Sequence, residues 1–70
     1  MAKLFSNMAG NVWKILVNVG DQVEAGQNVV ILESMKMEIH IEAEEGGTVK
    51  EIKINEGEFV NEGDLLLELE

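Results

Sequence analysis

The residues best equipped for chemistry are Glu33-Ser34-Met35-Lys36-Met37, a single lysine set between two methionines near the middle of the chain. A lysine amine that has lost its proton attacks activated carboxyl groups, and the amide that results removes a cation and lengthens the side chain by the acyl group received. Held at the tip of a tight turn, Lys36 reads as a covalent attachment point, with its neighbours as the handle. Two features oppose the reading of an idle surface lysine. Methionines on both sides are unusual in an exposed turn, and Lys36 is the only lysine between residues 15 and 49.

No other residue set competes. The absence of cysteine removes thiolate nucleophiles, disulfides and cysteine metal sites together, and fits a reducing compartment. His40 is the only histidine, and alternation with Ile39 and Ile41 puts it on an outer face with Glu38 and Glu42, where a lone imidazole lacks the partners of a metal site or a catalytic base. No serine sits in a nucleophile motif, and the glycines do not match a phosphate loop. The expectation is a protein that is not an enzyme, with no catalytic residue and no metal, acted upon at Lys36 by others.

The elements that must position Lys36 come from an internal duplication. Sliding the sequence by 37 positions gives nine identical pairs: Gly10/Gly47, Val12/Val49, Ile15/Ile52, Asn18/Asn55, Gly20/Gly57, Val23/Val60, Gly26/Gly63, Leu32/Leu69 and Glu33/Glu70. Residues 8–33 and 45–70 are therefore two copies of one unit within a single expected domain spanning 1–70. Period-2 alternation, as in Ile52 and Ile54 against Glu51 and Lys53, or Leu65, Leu67 and Leu69 against Glu68 and Glu70, predicts strands with one buried face. No stretch sustains a helical period. Val12 and Ile15, like Val49 and Ile52, are an odd step apart, so a bulge must bring both inward.

In Gly20-Asp21-Gln22-Val23-Glu24-Ala25-Gly26, and again in Gly57-Glu58-Phe59-Val60-Asn61-Glu62-Gly63, two glycines frame a valine. The glycines permit positive φ at both ends of a loop while Val23 or Val60 is tucked into the core. Ala9-Gly10 and Gly46-Gly47 read as further turns. The predicted fold is all-β, a flattened barrel or sandwich of two small antiparallel sheets with a pseudo-twofold axis. Strand 28–33 and strand 38–44 form a hairpin with a link of about four residues, 34–37. Under the twofold, the counterpart of that link is the gap between the chain ends, which places the termini together and opposite Lys36.

Glu33-Ser34-Met35-Lys36-Met37 resembles the attachment motif of biotinyl domains, in which a lysine between two methionines accepts biotin; the common family form has alanine where Ser34 stands. The Gly-acid-x-Val-x-x-Gly segments resemble the turns of the same biotinyl/lipoyl family, and the likeness covers nearly the whole chain. It is most similar to the small free-standing biotin/lipoyl attachment proteins of bacteria. Unlike the biotin carrier of bacterial acetyl-CoA carboxylase, it runs from Val12 through Val17 to Gly20 without a protruding insertion, and it has Asn7 before Met8 where many relatives carry proline. No Ala/Pro-rich linker is present, which suits a free carrier or an excised domain.

The resemblance implies that Lys36 is acylated by a biotin protein ligase, which supplies the activated biotin and the base, since a lysine amine in water is almost wholly charged at neutral pH. The biotin arm would then carry carboxyl groups from a biotin carboxylase to a carboxyltransferase. Met35, Met37, Glu33 and Ser34 are the implied recognition set, with Met35 exposed, Ser34 supporting the turn through its hydroxyl, and Met37, in phase with Ile39, Ile41 and Ala43, equally suited to the core. The rival is a lipoyl carrier, served by a lipoate ligase on the same amine; relatives of that kind usually flank the lysine with Asp and Ala, so the methionines favour biotin.

Composition narrows the partners. The net charge of −9 is concentrated after residue 35, where eleven acids face three lysines, against three acids and two lysines before it. Such a surface repels phosphate backbones and anionic lipid, so neither nucleic acid nor membrane is expected as a partner. The longest apolar run, Val29 to Leu32, is far short of a membrane span, and the N-terminus has no signal-like apolar stretch. The expectation is a soluble cytoplasmic monomer whose acidic face attracts basic enzyme surfaces.

Overall fold

Eight strands account for the regular structure of the computed structural model, which describes residues 2–70: β1 (Ala2–Phe5), β2 (Gly10–Ile15), β3 (Gln22–Val23), β4 (Asn28–Ser34), β5 (Met37–Glu42), β6 (Gly47–Ile52), β7 (Phe59–Val60) and β8 (Leu65–Leu69). They form two antiparallel sheets, ordered β1-β8-β6-β3 and β5-β4-β2-β7. A shift of 37 residues carries β2, β3 and β4 onto β6, β7 and β8, and β1 onto β5, so each sheet maps onto the other. The halves interlock: β3 completes the sheet of the second half by pairing Val23 with Gly47, and β7 completes that of the first by pairing Gly10 with Val60. Among the described residues no helix is long and apolar enough to cross a membrane.

The odd Val12–Ile15 step is resolved as expected. The β2·β4 register shifts between Val12 and Lys14, and the β6·β8 register shifts at the equivalent place between Val49 and Glu51. Val12 and Val49 are each 1% exposed, with Ile15 and Ile52 packed against the same core. A second pair of bulges, with Val29 of β4 and Leu66 of β8 as the extra residues, places consecutive residues inward. Strict alternation therefore fails in β8: Leu66 and Leu67 are fully buried, whereas Leu65, expected in the core, is only half-buried. The bulge, which simple period-2 counting does not contain, moves Leu66 into its place.

Val23 and Val60 are buried, and the four framing glycines, Gly20, Gly26, Gly57 and Gly63, have φ between 87° and 96°. Each of these turns closes twice. At the first, the Asp21 amide donates to the Asn18 carbonyl at 3.0 Å while the Asn18 amide donates to the Asp21 carboxylate at 2.8 Å, and the Asn55–Glu58 turn repeats the pattern.

The pairs Ala9-Gly10 and Gly46-Gly47 are not the turns expected of them. Gly10 and Gly47 open strands, and what requires glycine is closeness: a Cβ on Gly10 would lie 3.0 Å from the Glu33 carbonyl oxygen, and one on Gly47 would lie 2.7 Å from that of Glu70. Gly10→Ala and Gly47→Ala should each cost about 1–3 kcal/mol through this overlap. Urea melts with the parent's midpoint would show that the backbone yields freely.

β1 and β5 run inward from opposite ends of a body 32 × 19 × 18 Å, and their last residues, Phe5 and Glu42, line one shallow groove. The β1·β8 pairing sets Ala2 beside Leu69, so the chain ends meet at one pole. The β4–β5 hairpin forms the other.

Candidate functional site

The hairpin is tighter than the four-residue link expected. β4 and β5 pair up to Ser34 and Met37, leaving Met35 and Lys36 alone as the loop. Both have positive φ, 52° and 63°, the geometry of a type I′ turn, whose twist matches that of the flanking strands. That turn favours Asn-Gly, and a side chain in the left-handed region costs roughly 1–2 kcal/mol per residue. Met35 and Lys36 are the only non-glycine residues with positive φ among those described. The chain thus holds strain at the turn whose lysine the sequence offers as the attachment point, and strained backbone of this kind clusters at functional sites.

The two-residue loop places Lys36 at the end of the sheet. Lys36 is exposed, and among the described residues the one ion pair is Lys53–Glu51. The Lys36 amine therefore has no ion-pair partner among the described residues. Met35 is 91% exposed.

Met37 is in the inward phase, with Ile39 and Ile41 following it, yet it is 63% exposed. The reason lies in its row: its neighbours there are Ser34 and then Gly10, which offers no side chain, so the core ends one layer earlier at Leu32 and Val12. The core role is therefore excluded, and both methionines stand in solvent beside Lys36. Ser34 is half-buried, and its hydroxyl makes no hydrogen bond among the described residues; it is held by strand pairing and by the close approach of Gly10.

Glu33 faces outward in a row that sequence reading passes over. It pairs with Glu38 on β5 and with Asn11 on β2, which pairs in turn with Phe59 on β7. Two carboxylates directly opposite each other weaken a sheet. Their retention one layer below the tip gives this pole an acidic rim that a basic partner would neutralise. Glu38 was legible once the loop length was known, because a two-residue turn at 35–36 forces residue 33 against residue 38. His40 is exposed on the outer face as expected, its Nδ1 3.1 Å from the Asn28 side-chain amide, and no group of three metal-ligating residues gathers among the described residues.

The sequence and the fold that carries this turn are similar to those of known proteins. Residues 2–69 match the biotin/lipoyl family model described as "Biotin-requiring enzyme". The chain belongs to the biotin/lipoyl family.

A Bacillus subtilis biotin/lipoyl attachment protein is 68% identical to it over 62 residues, covering 89% of this chain and 85% of that one. A biotin carboxyl carrier protein of Streptococcus mutans is 50% identical over 60 residues, covering 86% of this chain and 46% of its own. Among solved structures, the urea carboxylase of Kluyveromyces lactis contains a segment that superposes with a TM-score of 0.88 at 41% identity. That segment corresponds to 94% of this family member but only 6% of the carboxylase.

Proposed function

We propose that the chain is a non-catalytic biotin carrier: Lys36 is biotinylated by a biotin protein ligase, and the modified domain serves a biotin carboxylase and a carboxyltransferase. The observation that carries this reading is the exposed Met35-Lys36 turn held at positive φ between Ser34 and Met37. The names of the relatives above support it: one attaches biotin or lipoate, one carries carboxyl groups on biotin, and one is a carboxylase.

The chain's own residues have limited and definite tasks. The hairpin presents the Lys36 amine, and Met35 and Met37 give the ligase two apolar side chains flanking it. Glu33 and Glu38 supply negative charge that suits a basic ligase surface. Removal of the amine proton falls to the ligase, because among the described residues no side chain hydrogen-bonds or ion-pairs with the Lys36 amine. The chemistry that biotin supplies when bound is carboxyl carriage between two active sites. The twofold keeps the chain ends at the far pole, so anything joined to them stays clear of both enzymes. The unit 1–70 acts as one domain, as a monomer in the cytoplasm, in keeping with the lack of cysteine.

A second reading, lipoyl carriage on the same amine, is favoured by the dual name of the Bacillus relative. Intact-mass spectrometry after incubation with biotin protein ligase, lipoate ligase and both free acids separates the two. The expected product carries one biotinyl group; a purely lipoylated product would replace the first reading by the second, and an unchanged mass would remove both.

A further inference from the structure

Sulfur enters this chain only as methionine. There is no cysteine, and of the four methionines three, Met8, Met35 and Met37, fall among the described residues. Their surroundings differ. Met8 is partly buried against the core, whereas Met35 is 91% and Met37 63% exposed. The two thioethers that stand open to solvent are the two that flank Lys36.

A thioether in solvent can be reached by peroxide, and the reaction asks nothing further of the protein. A sulfur lone pair bonds one oxygen of hydrogen peroxide as the O–O bond breaks, leaving a sulfoxide and one water; the sulfur is oxidised by two electrons and the peroxide reduced by two. The product is polar and chiral where the thioether was apolar, and its oxygen accepts hydrogen bonds. No charge is added.

The fold has little to lose by this change. The core ends at this pole with Leu32 and Val12, and neither Met35 nor Met37 belongs to it. Oxidation of the pair therefore leaves packing and strand pairing as they were, and its effect falls on whatever closes over the tip. A surface shaped for two apolar side chains must instead take in two sulfoxide oxygens, each stripped of water and given no partner. Leucine would offer comparable apolar bulk without a sulfur to oxidise, so methionine at both positions adds a sensitivity that the contact itself does not require.

We infer that Met35 and Met37 form a peroxide-sensitive modification site: oxidation of the pair to sulfoxide closes Lys36 to acylation without unfolding the domain, and reduction reopens it. The effect on acylation rests on the carrier reading and its ligase contact; the selective oxidation does not. In the test, the full chain is exposed to hydrogen peroxide, sulfoxide at each methionine is followed by peptide mass mapping, and catalase removes the peroxide. Thermal melts and labelling by purified biotin protein ligase with biotin and ATP are then compared before and after. A portion of the oxidised protein is treated with methionine sulfoxide reductases of both epimer specificities and dithiothreitol, whose two thiols become a disulfide as the sulfoxide oxygen leaves in water. A Met35→Leu/Met37→Leu variant passes through the same steps and is compared only with itself, the two single variants replacing it if the double does not fold.

Met35 and Met37 should be oxidised about fivefold faster than Met8 or more, with the melt unchanged. Labelling kcat/KM should fall about tenfold, keep its dependence on salt because no charge has changed, and return after reductase treatment. The leucine variant should keep its own rate through peroxide to within about twofold. Oxidation of Met8 as fast as the pair, a lowered melt, parent-rate labelling of the oxidised pair, failure of the reductases to restore it, or an equal loss in the leucine variant would each overturn the inference. A parent that accepts no biotin before any peroxide is added would overturn the carrier reading instead, and the mapping and melts would still decide whether the pair is the site of oxidation.

Discussion

Lys36→Arg should take up no biotin while unfolding like the parent. The guanidinium stays protonated and offers no nucleophilic lone pair, so labelling falls from complete to undetectable by intact mass. Stability is unaffected because the side chain is exposed and arginine in the left-handed region carries the same backbone cost as lysine. Lys36→Gly should be equally unlabelled and more stable than either, by about 0.5–1 kcal/mol, since glycine relieves the strain at φ 63° and gives back part of the gain as chain entropy. A glycine variant no more stable than the arginine variant would mean that the turn is not under strain. The comparison separates what the hairpin needs in order to fold from what it retains for chemistry.

Leu32→Ala should cost about 2–5 kcal/mol, the range for truncating a fully buried leucine. Leu32 is 0% exposed, pairs with Val12 on one side and Ile39 on the other, and forms the last complete core layer beneath the tip. A domain of this size commonly has only about 3–5 kcal/mol from its core, so the variant should lose most of its cooperative transition in urea and at the same time become a poor ligase substrate. Leu69→Ala removes the twofold-equivalent side chain, 3% exposed, and should have a comparable effect on stability. A shift in midpoint worth less than about 1 kcal/mol for Leu32→Ala would show that the two sheets close over the cavity.

Most of the architecture was legible because the chain states it twice. The 37-residue repeat identifies equivalent strands, the conflict between Val12 and Ile15 predicts a bulge that pairing shows in both halves, and the glycine-framed valines behave as spacing suggests. What was not legible depends on pairing partners. The second bulge, which buries Leu66 and moves Leu65 outward, leaves no mark in a run of three leucines. The exposure of Met37 depends on Gly10, 27 positions away, lying in its row, and the role of Gly10 depends on its distance from the Glu33 carbonyl. Alternation assigns a residue to a face; it does not say where the core stops.

The site followed the same division. Lys36 and its pole came from the motif and the duplication. The left-handed backbone of Met35 and Lys36 did not, since neither residue favours positive φ and only the two-residue loop imposes it. Glu38 joined the acidic rim for the same reason, through register with Glu33.

The central claim is that one amine among five lysines is the attachment point, and fragment-ion sequencing of protein labelled by biotin protein ligase tests it most directly. The account predicts a single acyl group, confined to the fragment bearing Lys36, with Lys3, Lys14, Lys50 and Lys53 unmodified. An acyl group on any of those four, with Lys36 left free, would contradict it.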